Sequence, residues 1–234
     1  MLVFWDEPPD VLYEWSKSAG QLADRIVAAD GPFSLFPHDS VESPQECINA
    51  LLQGAVESGA GLTRLEGREW AGQVEKRDAV IKACQDSEWV FWMDADERIR
   101  LCDLEHVHWA LSNTRADAII TARYTPPNPD ARWAPDSTTD EREDETFLHP
   151  RIFRSLDNMG VERCHWGYVA TKNGKPVTYW AGMPNRVEVP QAAIGEEWLL
   201  FEHRQTWRSD QYRADQLEYR RRVALQVAQV GAEA

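Results

Sequence analysis

The chain is poor in positive charge, with 25 Lys and Arg residues against 39 Asp and Glu residues and a formal net charge of −14 at pH 7. Nucleic acids and anionic membranes are polyanions, so a chain of this charge repels both. The composition therefore argues against general binding to nucleic acid or to an anionic membrane surface. Any phosphate group that the chain holds is expected to need a local cation.

Long apolar runs are also missing. No stretch approaches the roughly 18 consecutive apolar residues of a membrane-spanning helix. The first six residues lack the charged n-region of a signal peptide. We therefore expect a soluble, cytoplasmic protein with no transmembrane segment.

Cysteine is scarce and tryptophan is abundant. The four cysteines, at positions 47, 84, 102 and 164, have no spacing typical of zinc ligands, so we expect reduced core thiols instead of disulfides or a zinc site. The 11 Trp residues are expected mainly in the core, although Trp is also a good platform for sugar rings.

Apolar runs alternate with helical segments over the first hundred residues. The spacing predicts strands over 1–5, 25–30, 61–65 and 89–93, and helices over 9–20, 44–58 and 74–84. Four strands separated by three helices form a βαβ succession, which predicts an α/β fold with a mostly parallel sheet and right-handed crossovers.

The remaining sequence predicts a helix over 104–111, strands over 118–124, 150–154, 168–171 and 176–180, and a long Arg-rich helix over 209–230. Between them, segment 125–147 carries four prolines and seven acidic residues against two arginines. A loop of this length is usually functional or disordered, which leaves a mobile lid and a solvated insertion as alternatives.

The most informative segment is the apolar run 89–93, which ends abruptly at Asp94, Asp96 and Glu97. The carboxyl ends of strands in open α/β sheets are where ligands bind. Asp94 and Asp96 are spaced so that both can offer oxygen ligands to one hard divalent cation, which can clamp a diphosphate. The alternative is an acidic turn that follows a core strand.

Four motifs in order resemble the nucleotide-binding half of a GT-A glycosyltransferase of the family 2 type. They are Trp5-Asp6-Glu7, the segment from Asp24 to Gly31, Glu75-Lys76-Arg77-Asp78, and the segment from Trp89 to Glu97. Asp6 and Asp78 stand where the family usually has Asn. Further on, Pro150 to Arg154, Cys164-His165-Trp166 and Phe201-Glu202-His203 resemble the acceptor half of bacterial and phage members, with His165-Trp166 in place of the common His-Glu.

The resemblance implies a Rossmann-like GT-A core over 1–124, an acidic loop or lid over 125–147, and acceptor-side strands with a C-terminal helix over 148–234. It implies a nucleotide-diphosphate sugar donor, of which a UDP-sugar is favoured, and Mn²⁺ or Mg²⁺ held by Asp94, Asp96 and His203. His203 has the alternative of a core histidine.

Further donor contacts are expected from the strand ends and from one helix. Asp6 and Glu7 are candidates for contact with the base, or else form a helix-capping segment before Pro9. Asp30 is a candidate for contact with the ribose or base, or else caps a turn. Lys76 and Arg77, together with Asp94, are candidates for the phosphate site, or else they form a surface ion pair with Glu75.

Inverting transfer needs a general base for the acceptor hydroxyl, and Asp144 and Glu145 are the candidates, with solvated acids as the alternative. Retaining transfer needs no such base and stays open. Glu97, Arg151, Arg154, His165 and Trp166 are candidates for the acceptor or sugar pocket, where Trp166 is equally suited to the core.

The predicted function is metal-dependent transfer of a sugar to a hydroxyl of a protein, glycan or lipid headgroup. One alternative is a nucleotidyltransferase, which would need a Gly-rich phosphate loop where the chain has Asp6-Glu7-Pro8-Pro9. Another is a catalytically silent sugar- or protein-binding module. The presence of Asp94 and Asp96 argues against it, because a protein without activity is free to lose them.

Overall fold

The computed structural model describes residues 1–102, 104–124, 147–163, 167–179, 199–203 and 210–232. The first part is the expected βαβ succession: β1 Leu2–Val3, α1 Pro9–Ala19, β2 Arg25–Ala29, α2 Gln45–Ser58, β3 Gly61–Leu65, α3 Gln73–Lys82 and β4 Trp89–Phe91. α1 begins with a proline, whose fixed φ suits the first helical position. α2 ends at Gly59, which takes the left-handed conformation expected of a C-terminal glycine.

Strands β1, β2 and β3 form a parallel sheet in which β2 is central. On the other side of β1, the Met1 amine donates to the Phe91 carbonyl at 2.6 Å, and the Met93 amide donates to the Met1 carbonyl at 3.5 Å. In a parallel pair, one residue forms hydrogen bonds with the two residues on either side of the residue opposite it, as Met1 does with Phe91 and Met93. The strand order is therefore β3-β2-β1-β4.

The second half of the sheet is mainly antiparallel, so the expectation of a mostly parallel sheet is correct only for the first four strands. The order β4-β7-β6-β11-β5 contains β5 Glu97–Cys102, β6 Ala118–Tyr124, β7 Phe147–Arg154 and β11 Leu199–His203. In this part β6 and β11 are parallel, and the other pairs are antiparallel. β7 runs opposite to both β4 and β6, and β5 runs opposite to β11.

A separate antiparallel sheet has the order β10-β9-β8, with β8 Asp157–Arg163, β9 Gly167–Lys172 and β10 Lys175–Tyr179. An Asn-Gly turn joins β9 to β10, and Asn173 and Gly174 both have positive φ, as a two-residue hairpin requires. The remaining helices are α4 Leu104–Asn113 and α5 Asp210–Ala232.

Two hydrophobic clusters pack on the sheet. One contains Trp15 of α1, Leu51 of α2 and Phe91 of β4. The other contains Val80 of α3, Trp92, which directly follows β4, and Tyr168 of β9. Because side chains alternate between the faces of a strand, neighbouring residues of β4 enter different clusters.

Within the part of the chain that the structure describes, no helix has the length and apolar character needed to cross a membrane. Cys47 and Cys84 are buried free thiols. Most of the acidic loop, residues 125–146, lies outside the described residues, as do the candidates Asp144, Glu145, His165 and Trp166.

Candidate active site

The strand order reverses between β1 and β4, since β2 and β3 lie on one side of this pair and β7 lies on the other. Asp6 and Glu7 follow β1, and Asp94, Asp96 and Glu97 follow β4. The carboxyl ends of parallel strands share one edge of the sheet, so both acidic segments lie at this edge, after the two strands that flank the reversal point. Open α/β sheets bind their ligands at this point.

Asp94 lies at the centre of the acidic segment. Its Oδ1 accepts hydrogen bonds from Trp92 Nε1 at 2.8 Å and from Arg77 Nη2 at 3.2 Å. Its Oδ2 lies 3.6 Å from Nη1 of Arg151. The side chain is 24% exposed, so the carboxylate is accessible in part from solvent.

Glu97 and Arg151 form a buried ion pair beside Asp94. The other carboxylate oxygen of Glu97 accepts the backbone N–H of Asp94 at 2.9 Å. Burial raises the pKa of Glu97 to about 7, Arg151 opposes this rise, and the charges of Asp94 and Asp96 add to it. Glu97 and Arg151 were expected in an acceptor or sugar pocket, and the structure places their side chains against each other inside the protein.

The donor set suits Mn²⁺ or Mg²⁺ in type, because carboxylate oxygens are the ligands that these hard cations prefer. Asp94 is partly accessible, whereas Asp96 is 6% exposed. His203 is in β11, and its Cα is in register with that of Glu97, so the backbone carries it beside the acidic segment. Among the side chains that the structure describes, no three His, Cys, Asp or Glu residues converge on one metal position.

Lys76 and Arg77 are buried in α3, and neither forms a surface pair with Glu75, which contacts Arg68. The ammonium of Lys76 donates to the backbone carbonyls of Phe4 and Gly31, at the ends of β1 and β2. Burial lowers the pKa of Lys76 to about 8, opposed by the nearby charges of Glu7 and Asp30. Lys76 therefore joins two strand ends, while Arg77 joins α3 to Asp94.

Asp30 is completely buried and accepts hydrogen bonds from the protein itself. Its donors include the Gly31 amide at 2.7 Å, the Ser43 hydroxyl at 2.7 Å, the Ser43 amide at 3.1 Å and Arg64 Nη1 at 3.2 Å. The Ser43 oxygen in turn accepts the backbone N–H of Asp6 at 2.8 Å. This geometry is that of a turn-capping carboxylate, which reaches the exposed Asp6 through Ser43.

Asp6 and Glu7 differ in accessibility. Asp6 is exposed and has φ of 54°, a left-handed conformation that is uncommon outside glycine. Partial desolvation of the carboxylate and the charges of Asp30 and Glu46 raise the pKa of Asp6. Glu7 is buried, and its carboxylate accepts the Trp5 amide at 2.8 Å. Asp6 is therefore the accessible member of the pair.

Arg154 lies away from the acidic segment. β4 and β7 are antiparallel, with Trp89 opposite Arg154 and Phe91 opposite Ile152. Arg154 thus lies at the amino end of β4, roughly 15 Å along the strand from Asp94 at about 3.3 Å per residue. There it contacts Glu88 at 3.2 Å and covers the Trp89 ring at 4.3 Å.

Sequence reasoning did not single out Trp15, Trp92, Ser43 or Arg64, although all four hold site residues in place. The sequence did give a local indication for Trp92. It lies two residues before Asp94, and residues two apart in an extended segment lie on the same face. The other three reach the site only through the fold.

Comparisons with protein families and with curated proteins find no match. Several solved structures are similar to parts of the chain. A mannosyltransferase from Pyrobaculum calidifontis, in complex with GDP-Man and Mn²⁺, is 16% identical with a TM-score of 0.39, over 54% of this chain and 34% of that one. TarS of S. aureus is 15% identical with a TM-score of 0.40, over 66% of this chain and 27% of that one.

A shorter TarS structure, residues 1–349 in complex with UDP-GlcNAc, is 14% identical with a TM-score of 0.38, over 58% of this chain and 36% of that one. The chain therefore spans less than half the length of each of these proteins. A TM-score below 0.5 does not establish a shared fold.

Proposed function

We propose that the protein is a metal-dependent glycosyltransferase that moves a sugar from a nucleotide-diphosphate sugar, with a UDP-sugar favoured, to a hydroxyl acceptor. The observation that supports the proposal is the strand order β3-β2-β1-β4, in which the segment with Asp6 follows β1 and the segment with Asp94 and Asp96 follows β4 at the same edge of the sheet. Nucleotides bind at such reversal points in α/β sheets.

In this proposal Asp6 contacts the base or ribose, and Asp30 acts through Ser43 to hold the Asp6 backbone in its left-handed conformation. Lys76 keeps the ends of β1 and β2 together. Asp94, Asp96 and His203 would hold Mn²⁺ or Mg²⁺, which would supply positive charge to offset the leaving diphosphate. We assign Arg77, which contacts Asp94 and balances its charge, to the diphosphate.

On the acceptor side we assign residues outside the described part of the chain. Asp144 or Glu145 accepts the proton of the acceptor hydroxyl if transfer inverts the anomeric centre. His165 and Trp166 contribute to the pocket, where Trp166 stacks on a pyranose face. The acceptor belongs to the class of protein, glycan or lipid-headgroup hydroxyls.

Thermal unfolding with a panel of nucleoside diphosphates and nucleotide sugars, with Mn²⁺ or with EDTA, tests the donor and the cation together. We expect one nucleotide to stabilise the protein only with Mn²⁺, by about 2.7 kcal/mol at 100 times its dissociation constant. Equal stabilisation in EDTA would contradict the role of the cation.

Release of sugar from the stabilising nucleotide sugar then separates an enzyme from a silent binding module. We expect slow hydrolysis in the absence of acceptor, because water can replace the acceptor hydroxyl. Tight, metal-dependent binding with neither hydrolysis nor transfer to any hydroxyl acceptor favours the binding module.

A further inference from the structure

Asp94 is held by two buried indole rings that approach it from different sides of the sheet. Trp92 Nε1 donates to the carboxylate oxygen Oδ1 at 2.8 Å, and Trp15 Nε1 donates to the backbone carbonyl at 2.9 Å. Both tryptophans are 0% exposed. Trp15 belongs to the cluster under α1 and α2, and Trp92 belongs to the cluster under α3.

Trp92 holds Asp94 and its cationic partner at the same time. The Arg77 guanidinium lies over the Trp92 ring, 4.4 Å from the centroid, and donates to the same Oδ1 that accepts the indole N–H. Two donors on one oxygen determine the torsion angle of the carboxylate. They direct Oδ1 into the protein and Oδ2 towards Arg151.

The backbone of Asp94 is held independently. Its carbonyl accepts both the Trp15 indole and the Glu97 amide, each at 2.9 Å, and its own N–H donates to the Glu97 carboxylate. Removing the Trp15 donor therefore leaves the backbone with two further hydrogen bonds. Removing the Trp92 donor takes away the 2.8 Å hydrogen bond to Oδ1 and leaves the longer contact with Arg77, at 3.2 Å.

We propose that Trp92 is a positioning residue, which orients the Asp94 carboxylate for the divalent cation, while Trp15 supports the backbone at the same residue. This inference rests on the proposed function, because it needs Asp94 to be a ligand of that cation. Groups that orient metal ligands typically change metal affinity by 10- to 100-fold when they are lost. A tryptophan that only fills the core would change stability and leave affinity alone.

Three matched variants test this proposal, and each replaces one buried indole by a ring without an N–H donor. They are Trp92→Phe, Trp15→Phe and the control Trp70→Phe, whose indole donates to the Asp30 carbonyl at 2.6 Å. Mn²⁺ affinity is measured by calorimetry in the presence of saturating UDP, and thermal unfolding is measured without metal. All three variants are expected to lose stability.

We expect Trp92→Phe to weaken Mn²⁺ binding about 10-fold or more. Trp15→Phe is expected to weaken it less, and Trp70→Phe to leave it unchanged. Equal Mn²⁺ affinity in wild type and Trp92→Phe would overturn the positioning role while leaving the proposed function intact. If the wild type binds no Mn²⁺ under these conditions, the metal-dependent function and this inference both fail.

If Trp92→Phe does not fold, benzothienylalanine at position 92 provides the second variant. It keeps the size of the indole ring and replaces the N–H by sulfur, so that the donor is lost without a change in packing. Weakened Mn²⁺ binding by the folded variant supports the positioning role. Unchanged binding refutes it.

Discussion

The guanidinium of Arg151 contacts the carboxylate of Glu97 inside the protein, and the two side chains are 1% and 0% exposed. Arg151 belongs to β7 and Glu97 begins β5, so the pair joins two strands that are distant in the chain. The Glu97 carboxylate also accepts the Asp94 amide, which connects the pair to the acidic segment.

The first prediction concerns this buried pair. Arg151→Met leaves the Glu97 carboxylate without its nearest cation, and removal of one partner of a buried pair typically costs about 3–5 kcal/mol. We expect a loss of that order in the free energy of unfolding, measured with denaturant. The double variant Arg151→Met, Glu97→Gln should recover part of it, because the uncompensated charge is gone. A double variant no more stable than the single one would refute this account.

The second prediction concerns Asp96, which is proposed to bind the cation. Asp96→Asn keeps the volume of the side chain and removes its charge, so the fold should survive while sugar transfer falls by about 100-fold or more. Glu105→Gln, an exposed acid on α4, is the matched control and should keep full activity. Transfer by Asp96→Asn at the wild-type rate would place the site elsewhere.

The third prediction concerns His203, whose side chain is proposed as a metal ligand. His203→Ala should weaken Mn²⁺ binding in calorimetry with UDP present, whereas His108→Ala, which alters an exposed histidine of α4, should not. Because the imidazole must be neutral to bind a metal, wild-type affinity should also fall below about pH 6.5. A lowered melting temperature with unchanged affinity would make His203 a structural residue only.

The fourth prediction concerns the pH dependence that Lys76 causes. Its pKa is lowered from 10.5 to about 8, so between these values the unfolded chain binds the proton and the folded chain does not. The contribution of Lys76 to the free energy of unfolding therefore rises as pH increases from 8 to 10.5, by at most about 3 kcal/mol.

The measurement for Lys76 is the difference in unfolding free energy between wild type and Lys76→Met, which removes the titrating group. The difference should shift in favour of the wild type over this range and be constant below about pH 7. A difference that is the same at pH 7 and pH 10 would mean that Lys76 keeps its ordinary pKa in the folded protein.

The βαβ half could be predicted from local sequence because its signals are local. Apolar runs of strand length, the proline that begins α1 and the glycine that ends α2 act within a few residues of themselves. The acidic segment after β4 could be located in the same way, since it follows a recognisable buried strand.

Strands β5, β8 and β11 were not predicted. β5 reads Glu-Arg-Ile-Arg-Leu-Cys, in which Ile99 and Leu101 alternate with arginines, and β11 begins with Leu-Leu-Phe, so both carry short local signals that sequence reasoning missed. β8 contains Asp, Asn, Gly, Glu and Arg and has no apolar run, and it is a strand because of the neighbour with which it pairs.

The sequence by itself determined that acidic side chains follow β1 and β4, because both segments are read from residues that are adjacent in the chain. Only the tertiary structure decided what surrounds Asp94: Arg77 from α3, Trp15 from α1 and Arg151 from β7. It also decided that Asp30 is a buried cap. The physical reason is that burial and hydrogen-bond partners depend on contacts across tens of residues, whereas strand, helix and turn preferences depend on nearest neighbours.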